Sequence, residues 1–199
     1  MSTSRSGYHH GDLRAALITA AVESLEAGET FSLRAVARRA GVSPTAPYRH
    51  FADRDALEAA VAVEGFTDLG EDLRRAAETL PEGASAVDEI TALGTAYVSF
   101  ALRRPAVFRL MFGNACDDAD SERVRASRTL HAVLEQAVAR LFPAADPASL
   151  STALWSLAHG LAFLHLDGKL RPGPADEVVD RVRSSVVAVL SLAAVPTGR

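Results

Sequence analysis

The sequence predicts an all-α fold of about nine helices, and three observations predict it. Alanine is abundant, runs of β-branched residues are few, and no alternation of apolar and polar residues persists beyond a few positions. Apolar residues recur instead three and four apart, as on one face of a helix. Prolines at 81, 105, 143, 147, 172 and 174 punctuate these stripes.

Taken in order, Leu17, Ile18, Ala21, Val22 and Leu25 form the first stripe, with Asp12 as its predicted N-cap and Gly28 as its stop. Leu33, Val36, Ala37 and Ala40 form the second, ended by Gly41. Ser43-Pro44 then opens a short third helix, serine at the N-cap and proline at the first helical position. Asp53 caps a fourth that runs through Leu57, Ala60 and Val61 to about residue 80. Further helices are predicted at about 84–103, from Pro105 through Phe112, at 122–141, from Pro147 to near Gly168, and at 175–194.

Composition bounds the function. With 48% hydrophobic and 23% charged residues over 199 positions, the chain is not disordered; it is one ordinary domain or a small module fused to a larger one. The apolar run 186–195 is broken by Ser191 and falls far short of the roughly 20 residues that span a bilayer. No signal-peptide stretch precedes Tyr8-His9-His10, and Cys116 has no partner for a disulfide, so a soluble, cytoplasmic protein without membrane attachment is expected. The net charge of −4 is unevenly spread. Residues 1–54 set seven arginines against five carboxylates, a balance of +2, which leaves −6 for the remainder. A basic head on an acidic body points to a polyanion at the head alone.

The informative stretch is Ala40-Gly41-Val42-Ser43. Two short helices joined by a three- or four-residue turn with glycine make a helix-turn-helix, and Gly41 takes positive φ there without steric cost. Val42 then points into a small core beside Ala37 and Phe51. The second helix of such a unit fits the DNA major groove, about 12 Å wide. Arg34 and Arg38 lie four apart on the outer face of the supporting helix. Thr45, Tyr48, Arg49 and His50 project from the short helix, and Arg54 opens the next, where free backbone N–H groups favour an anion.

The stretch Phe31-Ser-Leu33-Arg-Ala-Val-Ala37-Arg-Arg-Ala-Gly41-Val-Ser-Pro-Thr45-Ala-Pro-Tyr48-Arg-His-Phe51-Ala-Asp-Arg54-Asp-Ala-Leu57 resembles the DNA-binding domain of the TetR/AcrR family of transcriptional regulators. The resemblance covers roughly residues 10–60 and is carried by the Ala-Gly-Val-Ser turn and the Tyr-x-His-Phe element. It implies a DNA-binding head at 1–55 and a ligand-binding and dimerisation domain at 56–199. It further implies a DNA-contacting set of Arg34, Ser43, Thr45, Ala46, Pro47, Tyr48, His50 and Arg54, the last in the place of a frequent phosphate-contacting lysine. Thr45 stands where the family often has glycine, and Pro47 where it often has a large aliphatic residue. At the fourth helical position Pro47 removes the first intrahelical hydrogen bond and pushes Ala46 from αR, so the first turn is expected to tighten. A rigid non-donor there would touch DNA by shape, as against a thymine methyl, and the base it reads stays open.

Beyond residue 80, Arg104-Pro-Ala-Val-Phe108-Arg-Leu-Met-Phe112 and Trp155-x-x-x-His159-Gly160 resemble a subgroup of that family named for its Trp-His-Gly element. Val182, Val186, Val187, Val189 and Leu190 leave the last helix apolar nearly all round, which predicts a dimer interface of the last two helices with their symmetry mates. An internal helix pair is the alternative. Phe100, Phe108, Met111, Phe112, Trp155, His159 and Phe163 are the candidate lining of an effector pocket, with Trp155 and His159 as polar handles. The same residues would equally serve to pack the core.

Nothing points to other chemistry. Phosphate-loop, G-x-G-x-x-G, H-E-x-x-H and G-x-S-x-G elements are absent, so no enzyme, metal or cofactor is expected. His159 and His165 fall on different helix faces; Asp117, Asp118 and Asp120 read as a solvated loop, Tyr8-His9-His10 as a mobile arm, and Cys116 as incidental. The leading reading is a ligand-responsive regulator, by resemblance most often a repressor, acting as a homodimer on a pseudo-palindromic duplex operator and released by a small, mostly apolar effector. The alternatives are a helical interaction module and a helical enzyme for which no residues nominate themselves.

Overall fold

The computed structural model describes residues 10–113, 122–171 and 174–193. Among them are eight α-helices and one 3₁₀ turn, with no strand: α1 (His10–Glu26), α2 (Leu33–Arg39), the 3₁₀ turn Ala46–Arg49, α3 (Arg54–Glu78), α4 (Ala86–Arg103), α5 (Pro105–Gly113), α6 (Glu122–Leu141), α7 (Pro147–Leu166) and α8 (Ala175–Ala193). The all-α expectation holds, and the nine predicted helical segments are present. Two boundaries differ. α1 begins two residues ahead of Asp12, and the segment opened by Ser43 is not an α-helix. Tyr8, His9, Cys116, Asp117, Asp118 and Asp120 lie outside the described residues.

The chain divides into two compact units, residues 1–65 with 106–116, and residues 66–105 with 117–199. In the first, α1 packs on α2 and α2 on the 3₁₀ turn. Leu17, Val36, Ala37, Leu57 and Val61 are wholly buried there, and Phe51 is buried with them. Val42, expected in this core, is only half-buried. Gly41 has φ 70°, which lets the chain reverse after α2, and Ser32 caps that helix by accepting the Ala35 N–H at 3.2 Å. α5 completes the unit with Val107, Phe108 and Met111. Its first turn is capped by the Glu26 carboxylate, which accepts the N–H groups of Ala106 and Val107 at 3.3 and 3.2 Å. Gly65 leaves room for this helix: a Cβ there would stand 2.6 Å from Met111 Sδ and 2.8 Å from Val107 Cγ1.

In the second unit α4 is central and packs on both α7 and α8, while α6 packs on α7. Ser85 and Asp88 form a reciprocal capping box at the start of α4, and Asp146 caps α7 through the Ser149 N–H at 3.0 Å. Ser85 and Arg183 hold the Asp88 carboxyl down at about 2. The last helix is two-faced rather than apolar all round. Val178, Val182 and Val186 are buried, while Val179 and Val187 face outward with Leu164 of α7. Arg183 takes the fourth position after Val179 and pairs with Asp88 at 2.6 Å, so charge interrupts the stripe. Among the described residues no helix is long and apolar enough to cross a membrane.

Candidate functional site

Pro47 decides the shape of the segment that follows Gly41. In an α-helix entered at Ser43, residue 47 would donate to the Ser43 carbonyl, and proline has no N–H to give. The Ala46 N–H takes that carbonyl instead, at 3.0 Å, which closes the tighter i→i+3 ring of a 3₁₀ turn. The Pro47 carbonyl in turn accepts from both His50 and Phe51, each at 2.9 Å. The expected tightening is therefore present, and it is complete. Pro47 itself is fully buried, so the apolar touch to a base expected of it is not available. His50 is half-buried, its ring 6.4 Å from Phe51, and its Nε2 is shut from solvent without a partner. It too belongs to the packing of the turn.

What faces outward is Ser43, Thr45, Tyr48 and Arg49, with Ala46 half-buried beside them. The Ser43 and Thr45 hydroxyl oxygens lie 3.2 Å apart, and Tyr48 is 51% exposed. These are short donors and one phenol on a rigid base, a set suited to phosphates and base edges.

The arginines divide into committed and uncommitted. Arg39 is clamped between Glu23 and Glu29 at 3.1 and 2.7 Å, which ties α2 to α1 and raises its pKa. Arg14 lies over the Phe51 ring at 5.6 Å. Arg54 lies over Phe31 at 5.5 Å and donates to Glu58 at 2.6 Å. Asp53 accepts the Ala56 N–H at 2.8 Å, so the anion-favouring start of α3 already holds a carboxylate. Arg54 thus opens α3 as expected, beside two acidic side chains rather than at an empty anion site. Arg34, Arg38 and Arg49 are exposed and make no ion pair among the described residues. Sequence reasoning gave Arg38 and Arg49 less weight than Arg54, because which charges are neutralised depends on contacts between helices.

The candidate pocket residues are drawn from both units. Phe108, Met111 and Phe112 belong to the first unit, where the Phe108 and Phe112 rings lie 4.9 Å apart and tilted by 55°. Phe100, Trp155, His159 and Phe163 belong to the second, and Phe100 is core. A cavity of about 50 Å³ does lie in that unit, walled by Leu73, Ile90, Leu93, Gly94, Tyr97, Leu134, Leu154, Trp155, Leu157, Ala158, Leu161, Val182 and Val186. Of the candidates only Trp155 is on its wall. His159 and Phe163 follow Trp155 in a series of ring contacts at 5.5 and 4.8 Å, and His131 meets Trp155 edge-on at 4.8 Å.

Tyr97 is the residue that the sequence reading missed. Its hydroxyl accepts from Trp155 Nε1 at 3.4 Å and lies 2.8 Å from His159 Nδ1, joining the two polar handles. Burial pushes the Tyr97 phenol up and the His159 imidazole down, so both are neutral near pH 7; with the imidazole proton on Nε2 the phenol donates to Nδ1. No local signal pointed to Tyr97, which is 62 residues from His159. Elsewhere in this unit, buried His165 accepts at Nε2 from Arg181 Nη1 at 3.1 Å and is likewise held neutral by burial and by that guanidinium.

Among the described residues no cluster of three His, Cys, Asp or Glu side chains could hold a metal ion. Comparison with known proteins accounts for both units. Residues 17–61 match the family of bacterial regulatory proteins of tetR type, and residues 90–188 match the tetracyclin repressor-like C-terminal domain. The latter span contains Trp155, His159 and Gly160; the Trp-His-Gly subgroup stays a resemblance of sequence. A protein of unknown function from Rhodococcus sp. RHA1 is 35% identical, with a TM-score of 0.79 over 93% of this chain and 98% of that one. A TetR/AcrR-family regulator from Thermobifida fusca YX-ER1, 20% identical, shares the fold with a TM-score of 0.66 over 88% of this chain and 97% of its own. An uncharacterized HTH-type transcriptional regulator of Haemophilus influenzae is 33% identical over 120 residues, 59% of this chain and 57% of that relative's length. With both of its units matched, the chain belongs to the TetR family, whose members are DNA-binding transcriptional regulators.

Proposed function

We propose that the chain is a cytoplasmic, non-enzymatic repressor that binds a pseudo-palindromic operator as a homodimer and releases it when a small, mostly apolar effector enters the C-terminal bundle. The observation that carries this reading is the exposed group Thr45, Tyr48 and Arg49 on a turn anchored by buried Pro47. One such turn contacts few base pairs, so specificity needs two copies on successive half-sites. Ser43, Thr45 and Ala46 would bear on base choice, while Tyr48, Arg34 and Arg54 would hold phosphates. Pro47 and His50 would act by shaping the turn.

The functional division is residues 1–55 for DNA and 56–199 for effector and dimer. Leu164, Val179 and Val187 on α7 and α8 supply an outward apolar face for the partner. α3 supports a link between ligand and DNA, because it begins at Arg54 and contributes Leu73 to the cavity wall.

The test is selection of bound duplexes from a random pool by the purified protein. An inverted repeat bound with steep salt dependence by a dimer is expected. Unselective, salt-insensitive binding by a monomer would remove the reading.

A further inference from the structure

The cavity of the second unit bears on which ligands can fill it, an argument that rests on the reading that the effector binds there. The side chains of its wall include no carboxylate, ammonium or guanidinium, and the polar ones among them are Tyr97 and Trp155. Both are committed. The indole N–H donates to the Tyr97 oxygen, and with the His159 proton on Nε2 the phenol proton goes to Nδ1. A carboxylate entering the cavity would meet no uncommitted donor, and a hydroxyl could donate only by competing with Trp155 for the phenol oxygen.

Size narrows the class further. About 50 Å³ is roughly a third of the volume of an apolar cavity that admits benzene. A wall must therefore yield. The α4–α8 wall is closed up, since a Cβ on Gly94 would stand 3.0 Å from Val182 Cγ1. α6 is the more exposed wall, packed on α7 and tied to α4 by the Arg140–Glu89 pair. Of its 20 residues only Val124 and Val138 are buried, and its contribution to the wall, Leu134, is half-exposed.

We propose that the effector is a compact, uncharged hydrophobe without hydrogen-bonding groups, of benzene's size class, admitted by displacement of α6. The Trp155–Tyr97–His159 chain is then a closed polar strut that rejects hydroxylated and ionised analogues instead of recognising them.

The series benzene, phenol and benzoate, which adds a hydroxyl and then a carboxylate to one ring, tests this on the full-length protein. Emission of Trp155, the single tryptophan, is followed together with release of the duplex the protein selects. Benzene should give a saturable change, phenol one at least about tenfold weaker, and benzoate none. Leu161→Ala, which enlarges the cavity, should tighten benzene by about tenfold. Tyr97→Phe uncommits the indole N–H and should shrink the benzene–phenol gap to below about threefold. Phenol or benzoate binding as tightly as benzene, or no saturable response in either the wild type or Leu161→Ala, overturns the proposal. Saturable benzene binding that leaves the duplex bound supports this ligand class and removes the effector reading alone.

Discussion

The reading turn and the cavity treat polar groups in opposite ways. Around the turn, Arg39, Arg14 and Arg54 are engaged by neighbours, yet Arg34, Arg38, Arg49, Tyr48 and Thr45 are left to solvent. Around the cavity, the indole, phenol and imidazole are spent on one another. The difference follows from the partner each would meet. A polyanion is held by charges that exchange counterions for phosphate, so the protein gains nothing by neutralising them beforehand. An apolar guest is held by shape and exclusion of water, so any loose donor on the wall would select for something else.

The largest effect should come from breaking either core and asking whether the other notices. Phe100→Ala in the second unit and Phe51→Ala in the first should each cost about 3–5 kcal/mol. Thermal melts followed by Trp155 fluorescence and by far-ultraviolet dichroism tell the units apart. Phe100→Ala should move the Trp155 transition strongly, and Phe51→Ala should move only the dichroic one. Equal shifts in the Trp155 signal would mean that the units melt as one.

Next in size is the strut itself. Tyr97→Phe strips the indole N–H of its acceptor and His159 of its donor, a loss of about 1–3 kcal/mol. Urea unfolding should register it, while affinity for a selected duplex, measured well below the melt, stays unchanged. Weakened DNA binding by that variant would blur the contrast between the two regions.

The two regions also differ in how far they were readable from sequence. The turn is written in contiguous residues: glycine where φ must be positive, serine and aspartate where helices start, and a proline whose missing N–H forces a 3₁₀ closure. Its exposed and buried faces were harder. The family resemblance places Pro47 and His50 in the DNA-contacting set, yet the 3₁₀ turn carries Pro47 fully inward and leaves His50, its C-cap, half-buried. The bundle's site depends on pairs far apart in the chain, Tyr97 with His159 and Gly94 with Val182. Apolar periodicity marks such residues as core without saying which of them surround a void.

A smaller effect separates the arginines. Arg49→Ala, which removes an unpaired charge, should lower the slope of log affinity against log salt by about 0.9. Arg54→Ala should lower it less, because Glu58 already offsets that guanidinium. Glu58→Gln should do the reverse and strengthen non-specific binding a few-fold. Equal slopes for the two alanine variants would show that the Arg54–Glu58 pair dissolves on DNA.

The smallest effect is a pH dependence confined to the bundle. Burial lowers the pKa of His159, and burial with Arg181 lowers that of His165, from the ordinary value of 6.5. Above 6.5 both are neutral whether folded or not. Below it the unfolded chain takes up protons that the folded one refuses, so stability declines as pH falls. The Trp155-reported melting temperature should therefore drop below pH 6.5, and His165→Leu should flatten part of that slope.

The buried ring of Pro47 has a consequence for the thermodynamics of docking. A segment with φ fixed by its own covalent ring, and that ring fully buried, has little conformational entropy left to surrender. Association with DNA then involves no coupled folding of the reading segment. Its rate should be set by collision and steering rather than by loop ordering, and its heat-capacity change by the contact surface alone.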